Sequence, residues 1–457
     1  MKRITSLKIS ISGVRGVVGD SLTPQLTATF AQAFGTYLGR GVVIVGQDSR
    51  KSGTMFKKAV LSGLLSVGCQ PVEIGICPIP SIQILTKQTQ ATGAIAVTAS
   101  HNPKEWNGLK FINGEGLYLN YHQTEEFLDI YHQGEFSLIE ADKYKNSKLE
   151  KNPTKPHLNK LLSYFNTNII RRKKFKAVID CCNGAGAVLA PQYLEALGCQ
   201  QILINCVPDG SFAHHPEPLP ENIAELCRTV VEKRADVGFV QDADADRLAI
   251  VNEKGEPIGE ELTLILASKY ILSKNPGPVV VNVSTSQAID DIARGFNVPV
   301  ARTKIGEINV VEQILAQPGK TAIGGEGNGG VILPDIHPCR DSFTAMGLIL
   351  EYMAASGKTI SELQKDIPEY YMIKDKIEGT QEQAYRLIRQ LKRKYRDKGK
   401  ISLVDGLKIN FDNYWIHIRP SNTEPIIRLI VEAKSQEKVK KIVRQLKKEI
   451  SELSKWK

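Results

Sequence analysis

The 457-residue sequence contains no apolar run approaching the roughly 20 residues needed to span a bilayer. Its opening segment, MKRITSLKISIS, has no apolar stretch of the kind a secretory leader needs. No membrane association and a cytoplasmic location are therefore expected. There is no CxxC pair and no regular cysteine framework. Eight cysteines are scattered on apolar stretches, with Cys181 and Cys182 adjacent, and they read as reduced cytosolic thiols. A GxSxG elbow is also missing, which removes the commonest serine-hydrolase signature. The net charge is +10, concentrated in RRKKFK (171–176), RQLKRKYRDKGK (389–400) and KVKKIVRQLKK (438–448). No aromatic residues interleave with the lysines of the last run to stack bases, and solvated helix faces account for the charge, so no nucleic-acid partner is expected. Val439, Ile442, Val443, Leu446, Ile450 and Leu453 keep helical spacing, which puts the lysines on the opposite, solvated face. What the charge favours is attraction of small anions.

What is present repeats a grammar. VVIVGQDSRKSG from residue 42, KAVIDCCNGAG from 176 and GPVVVNVSTSQA from 277 are each a β-branched run closing on small and polar residues before a helical pattern. Each reads as a strand, a loop and a helix, with the loop placed where α/β folds carry ligands. Three related α/β domains are expected. In TPQLTATFAQAFGTYLGR, Thr23 caps and Pro24 opens a helix whose apolar face is Leu26, Phe30, Phe34, Tyr37 and Leu38. Polar or Pro-containing stretches at 145–156, 253–260 and 366–378 suggest boundaries. The expected domains are 1–152, 153–255, 256–370 and 371–457. The last begins with a capping box, Thr380 and Gln383, ahead of Ala384, Leu387, Ile388 and Leu391. It continues with KISLVDGLKINF, WIHIRP and IIRLIVEA as strands and the basic helix, a small α+β domain.

Four stretches carry chemistry. In VQDADADRLAIV (240–251), Asp242, Asp244 and Asp246 alternate with alanines, and in an extended chain their carboxylates would share one side. Adjacent carboxylates raise one another's pKa, and a hard cation such as Mg²⁺ removes that cost. An EF-hand loop fits less well, because Arg247 stands where its turn needs glycine and a strand-like run follows. An acidic surface turn conflicts with the apolar flanks. In VTASHNPKEWNGLK (97–110), Ser100 and His101 end an apolar run, with Thr98 behind and Lys110 ten residues on. A turn closing a strand would account for some of this. A serine that bears a phosphoryl group beside a metal accounts for more. GGEGNGG (324–330) offers Glu326 and Asn328 on a glycine-rich backbone, suited to sugar hydroxyls. RPSNTEPIIR (419–428) crowds Arg419, Ser421, Asn422, Thr423 and Arg428, the donors that phosphate favours.

Together these stretches resemble the α-D-phosphohexomutase family of phosphoglucomutases, phosphomannomutases and phosphoglucosamine mutases. SGVRG (12–16), TASHNP (98–103), DADADR (242–247), GEGNGG (325–330) and RPSNTEP (419–425) stand in the family's order across nearly the whole chain. The resemblance implies three related α/β domains with mixed sheets plus a smaller C-terminal α+β domain around a central cleft. It implies that Ser100 carries the phosphoryl group and, with Asp242, Asp244 and Asp246, ligates Mg²⁺. Lys110 matches a general acid–base lysine, and Arg15 and His101 match helpers around the phosphate. Arg247 matches the arginine beside the metal. Glu326 and Asn328 would contact the sugar, and Arg419, Ser421, Asn422, Thr423 and Arg428 the non-reacting phosphate.

The implied reaction interconverts hexose 6-phosphate and hexose 1-phosphate through a 1,6-bisphosphate, which also serves as activator. Sugar phosphates are the expected partners, and the protein is expected to be a monomer or homodimer. GEGNGGVILPDIHPCRDS resembles loops of bacterial proteins assigned to glucosamine phosphate, so that sugar is favoured. A dual-specificity phosphomannomutase/phosphoglucomutase is the alternative within the class. A non-catalytic protein that binds sugar phosphate or nucleic acid is the alternative outside it. Asn328 stands where many glucose and mannose enzymes carry serine, Gly330 where many carry histidine, and Gln47 where an arginine is common. His337 and Arg340 read equally as substrate contacts or as packing.

Overall fold

Thr23 turns the chain into its first long helix, Pro24–Tyr37. Its side chain accepts a hydrogen bond from Leu26 N, and Pro24 occupies the first turn, where the missing N–H costs nothing. Phe30 and Phe34 on this helix are fully buried, with Leu26, Tyr37 and Leu38 packed at the edge of the same core. Both phenylalanines meet Phe111 and Phe127 at centroid distances of 5.1–6.4 Å, in tilted and edge-on arrangements. This cluster joins the helix to the sheet beneath it. The computed structural model describes residues 7–11, 13–140, 142–421 and 426–453.

Residues 1–270 and 328–364 form one compact unit, and 271–327 with 365–457 form another. The first unit holds a seven-stranded mixed sheet. Its order is Lys8–Ser10, Gly13–Val17, Trp106–Asn113, Gly93–Val97, Gly41–Gln47, Cys69–Ile76 and Lys148–Leu149. Gly41–Gln47 pairs in parallel with both neighbours, while Gly93–Val97 and Trp106–Asn113 are antiparallel. The last strand comes from the polar stretch expected to be a boundary, and it docks on the free edge of Cys69–Ile76. A second sheet runs Leu248–Val251, Val237–Gln241, Lys176–Asp180 and Gln200–Ile204, with its first pair antiparallel and the rest parallel. The same unit contains the hairpin Gly330–Leu333 with His337–Arg340, and the helix Ser342–Ser356. That helix is apolar on nearly all sides and accordingly buried.

The second unit places Val279–Asn282 between the parallel strands Val300–Thr303 and Ile323–Glu326. It also contains an antiparallel sheet in the order Tyr371–Glu378, Ile426–Ala433, Tyr414–Pro420, Leu407–Phe411 and Lys400–Ser402. Two helices, Gln381–Lys394 and Gln436–Leu453, share its core. Their apolar stripes are the ones read from the sequence, and Lys440, Lys441, Arg444, Lys447 and Lys448 face solvent. KISLVDGLKINF is two strands rather than one. Gly406, at a left-handed φ of 70°, turns the chain where any Cβ would lie 2.4 Å from Ile418 O. Each strand–loop–helix unit read from the sequence is present: Gly41–Gln47 leads to Gly53–Ser66, Lys176–Asp180 to Ala190–Ala196, and Val279–Asn282 to Ala288–Gly295. Among the described residues, no helix is long and apolar enough to cross a membrane.

Both halves of the Thr380–Gln383 capping box form. Thr380→Ala is expected to cost about 1 kcal/mol in urea unfolding, and Thr380→Ser to restore most of it.

Candidate active site

The strand Gly93–Val97 delivers Thr98 to Ser100 to the C-terminal edge of the first sheet. Thr98 Oγ1 donates to Asp48 Oδ2 at 2.6 Å and accepts from Ser100 N at 3.0 Å. Ser100 itself lies in the left-handed region, at φ 50°, a conformation that a non-glycine residue holds only when its surroundings insist. Arg50 supplies that insistence. Fully buried, it donates from Nη2 to Ser100 O (2.5 Å) and Asn102 O (2.7 Å), and from Nη1 to Pro103 O (3.3 Å). Its Nε lies 3.1 Å from Asp48 Oδ2. Three carbonyls of one loop thus converge on a single guanidinium whose charge Asp48 compensates. Burial pushes the Asp48 carboxyl above its usual range, and Arg50 opposes that shift.

The three aspartates sit in the turn joining Val237–Gln241 to Leu248–Val251, not on an extended strand. Ala245, at φ 58°, makes the bend. The alternation of aspartate and alanine therefore misleads as to backbone shape, yet the carboxylates still meet. Each contributes an oxygen within 4.8 Å of the others, and all three residues are at most 1% exposed. Asp242 Oδ1 accepts from Asp246 N (3.1 Å) and Arg247 N (3.2 Å), while Oδ2 accepts from Ser100 Oγ at 3.2 Å. Lys110, on the strand Trp106–Asn113, reaches Asp244 Oδ2 at 2.8 Å, Asp246 Oδ2 at 3.5 Å and Tyr118 OH at 3.1 Å. Arg340 Nη2 bonds Asp246 Oδ2 at 2.6 Å.

This charge is unevenly compensated. Burial, then the neighbouring Asp246 and Asp244, push Asp242 well above the usual carboxylate range. Burial works the same way on Asp246, but Arg340, Lys110 and Arg247 together hold it well below that range. Asp244 Oδ1 and Asp246 Oδ1 are buried without a hydrogen-bond partner. Unmatched hard oxygens in such proximity fit a divalent cation with oxygen preference. Three protein oxygens with the Ser100 hydroxyl close by would leave further coordination positions open.

The loop is held from behind by three consecutive residues. Arg340 pairs with Asp246. Asp341 caps the helix Ser342–Ser356 through Phe343 N, and Ser342 Oγ donates to Ala245 O at 2.7 Å. Asp341 also accepts from Thr344 and from His157 Nε2 (2.9 Å), whose Nδ1 meets Ser81 Oγ at 2.8 Å. Ser81 belongs to the helix Ile79–Gln88, whose first residue donates N–H to Asp244 O at 3.0 Å. Ser81, His157 and Asp341 have the order of a hydrolytic triad. All three are buried, and their role is to tie two helix starts to the aspartate turn. Gly330 leaves room for Arg340, since a Cβ there would lie 2.4 Å from its Cδ.

Ser100, His101, Lys110, Arg15, Arg247 and the aspartates are thus brought together. Arg15 Nη1 donates to Asn102 Oδ1 at 3.2 Å, and burial lowers its pKa. His101 Nδ1 lies 3.4 Å from Ser100 Oγ. Burial, then Arg247 and Arg15, hold His101 well below the usual imidazole range. Arg247 reaches toward Glu217 at 3.7 Å and Asp246 at 3.8 Å. Asn328 precedes Gly329, whose carbonyl accepts from Leu248 N, so its turn packs directly on the aspartate loop.

Glu326, Arg419, Ser421 and Arg428 belong to the second unit. Glu326 ends a strand and accepts from Asn282 Nδ2 and Gly306 N, both at 2.9 Å. Arg419 and Arg428 lie on the strands read from WIHIRP and IIRLIVEA, directly opposite one another. Like charges so placed repel, which suits a site for an anion. Burial lowers the Arg419 pKa, with Asp405 opposing and Arg428 adding to the shift. Ser421 is buried beside the end of its strand. Asn422 and Thr423 lie outside the described residues. His337, left open by the sequence, bonds Gly116 O at 2.9 Å and is buried, which is packing.

Sequence reasoning did not single out Asp48, Arg50, Tyr118 or Ser342, and it left Arg340 undecided. The signal for Arg50 was within QDSR, since a charged pair closing an apolar strand is costly unless it is used. Arg50→Met strands the buried Asp48 and is expected to cost about 3–5 kcal/mol, read from denaturant unfolding. His337 is held down to about 4, chiefly by burial. Its folded value lies below the unfolded one, so its contribution to stability is complete above about pH 6.5 and is lost as pH falls toward 4. An imidazole NMR titration should place His337 near 4, and a value near 6.5 would contradict its burial.

The chain is similar to known proteins over nearly its whole length. Residues 7–138, 155–255 and 259–371 match the phosphoglucomutase/phosphomannomutase alpha/beta/alpha domains I, II and III, and 374–449 match its C-terminal domain. A phosphoglucomutase/phosphomannomutase from Thermococcus kodakarensis is 38% identical over 94% of this chain and 95% of its own length. A probable phosphoglucosamine mutase from Methanopyrus kandleri is 35% identical over 94% and 95%. The crystal structure of a phosphoglucomutase/phosphomannomutase family protein from Burkholderia thailandensis superposes with a TM-score of 0.84 at 24% identity, over 98% of each chain, and shows the shared fold. The chain belongs to the phosphoglucomutase/phosphomannomutase family, the α-D-phosphohexomutases.

Proposed function

We propose that the protein converts glucosamine 6-phosphate to glucosamine 1-phosphate, with Ser100 as the phosphoryl carrier. The hexose-phosphate mutase class follows from the family. The observation that carries the reading of the site is the 3.2 Å approach of Ser100 Oγ to a buried carboxylate triad with two unmatched oxygens. The stretch GEGNGGVILPDIHPCRDS (325–342) supports glucosamine phosphate, as does the run of relatives named probable phosphoglucosamine mutase. The 38% identical relative named phosphoglucomutase/phosphomannomutase supports the second reading, a dual-specificity enzyme.

In this reading Asp242, Asp244 and Asp246 hold Mg²⁺ beside Ser100. Mg²⁺ there would offset the charge of the transferring phosphoryl group and loosen the hold of Asp244 and Asp246 on Lys110. The Ser100 Oγ–phosphorus bond breaks as a hydroxyl oxygen of the sugar phosphate bonds to phosphorus. The hydroxyl proton passes by way of Lys110, and Ser100 Oγ ends protonated. The 1,6-bisphosphate turns, and its other phosphoryl group returns to Ser100 by the reverse chemistry. Arg50 keeps the Ser100 loop fixed throughout, so little reorganisation accompanies transfer. Arg15 and His101 attend the transferring group. Glu326 and Asn328 are assigned to the sugar hydroxyls, and Arg419, Ser421, Asn422, Thr423 and Arg428 to the phosphate that does not react.

Ser100→Ala should lower kcat by about 10³-fold or more while leaving the circular dichroism spectrum unchanged. Near-normal turnover in that variant would rule out the phosphoserine role. Lys110→Ala should lower kcat by about 10²–10⁴-fold. With Mg²⁺ and catalytic 1,6-bisphosphate, kcat/KM should be highest for glucosamine phosphate among glucose, mannose, glucosamine and N-acetylglucosamine phosphates. Equal values for glucose and mannose phosphates, above glucosamine phosphate, would establish the dual-specificity reading instead.

A further inference from the structure

Two cysteines that the mutase chemistry does not use meet behind the aspartate loop. Cys181 directly follows the strand Lys176–Asp180, and Cys206 follows its parallel neighbour Gln200–Ile204. Their sulfur atoms are 3.2 Å apart. Cys181 is fully buried, whereas Cys206 is half-buried. Burial pushes the Cys181 thiol well above its ordinary range, so it stays protonated. Cys206 is shifted the other way, chiefly because the Cys181 thiol can donate to its thiolate. Burial and the Asp180 carboxylate oppose this shift without reversing it, and Cys206 Sγ also lies 3.2 Å from Ile204 O. The pair therefore joins a half-buried cysteine whose thiol ionises more readily to a fully buried one whose thiol does not. That is the arrangement of an attacking and a resolving thiol.

The loop that Cys181 opens leads straight to the aspartates. Ala185 N donates to Ala243 O at 2.8 Å, between Asp242 and Asp244. At Gly184 the backbones come so close that a Cβ would lie 2.6 Å from the same carbonyl. Cys182 and Asn183, in the same loop, are both held at left-handed φ near 50°. A change at Cys181 has no slack in which to dissipate before it reaches the aspartate turn.

We propose that Cys181 and Cys206 form a reversible, peroxide-sensitive dithiol that switches the site off when oxidised. The Cys206 thiolate attacks one oxygen of a hydroperoxide. The O–O bond breaks, leaving Cys206 as sulfenic acid and releasing hydroxide or alkoxide, which takes up a proton. Cys181 sulfur then attacks Cys206 sulfur and loses its proton, the S–O bond breaks, and water leaves. The two thiols are oxidised by two electrons and the peroxide is reduced by two. Closing the sulfurs from 3.2 Å to about 2.05 Å draws the start of loop 181–186 toward the neighbouring strand and displaces its contact with Ala243. A dithiol reductant reverses the change.

The test treats the purified full-length chain with hydrogen peroxide, then blocks free thiols and maps peptides by mass. A Cys181–Cys206 disulfide, a loss of about 2 Da, is expected, together with at least a tenfold fall in mutase turnover that dithiothreitol restores. Cys206→Ser should keep the untreated activity and resist the loss. Cys181→Ser should stop Cys206 at the sulfenic acid or drive it further, without the disulfide. Mapping does not depend on turnover, so a protein inactive in every assay still tests the pairing. Absence of the disulfide after peroxide, or its formation with unchanged activity, would overturn the proposal.

Discussion

Three buried carboxylates in one six-residue turn cannot all carry their charge without compensation. At low effective dielectric the mutual repulsion exceeds what a single lysine can offset. The chain answers with Lys110 on Asp244, Arg340 on Asp246 and a serine hydroxyl on Asp242. That set is incomplete, since two carboxylate oxygens keep no hydrogen-bond partner. The shortfall is what suits the turn to a cation better than to a settled ion-pair network.

The rest of the first unit serves to keep that arrangement from relaxing. Ser100 and Ala245 both sit at positive φ, each costing of order 1 kcal/mol or more. Neither would persist alone. Arg50 holds the serine loop through three carbonyls, and Ser342 and the N–H of Ile79 hold the aspartate loop through two. His157 ties those last two supports together by way of Ser81 and Asp341. In the proposed reaction, charge that develops during transfer would meet donors already in place, which is where enzymes gain most from fixed dipoles.

Much of this was legible in the sequence. The helices capped by Thr23 and Thr380, the apolar stripe of the basic helix and the three strand–loop–helix units depend on local periodicity and capping, which a sequence displays directly. Ser100 and the aspartates were legible because their residue types are costly anywhere else. The supports were not. Arg50 acts on residues about fifty positions away, and His157 on Asp341 across 184. Nothing local marks such partners. The turn at the aspartates was not legible, because alternation at period two is also the signature of a strand, and Ala245 gives no composition cue for its left-handed bend.

Calorimetric titration of the full-length protein with Mg²⁺ bears most directly on the triad. One ion per chain should bind to the wild type, and Asp244→Asn should remove that binding while the protein stays folded. Failure of the wild type to bind Mg²⁺, or undiminished binding by the folded Asp244→Asn chain, would contradict the assignment of the buried carboxylates as a metal site.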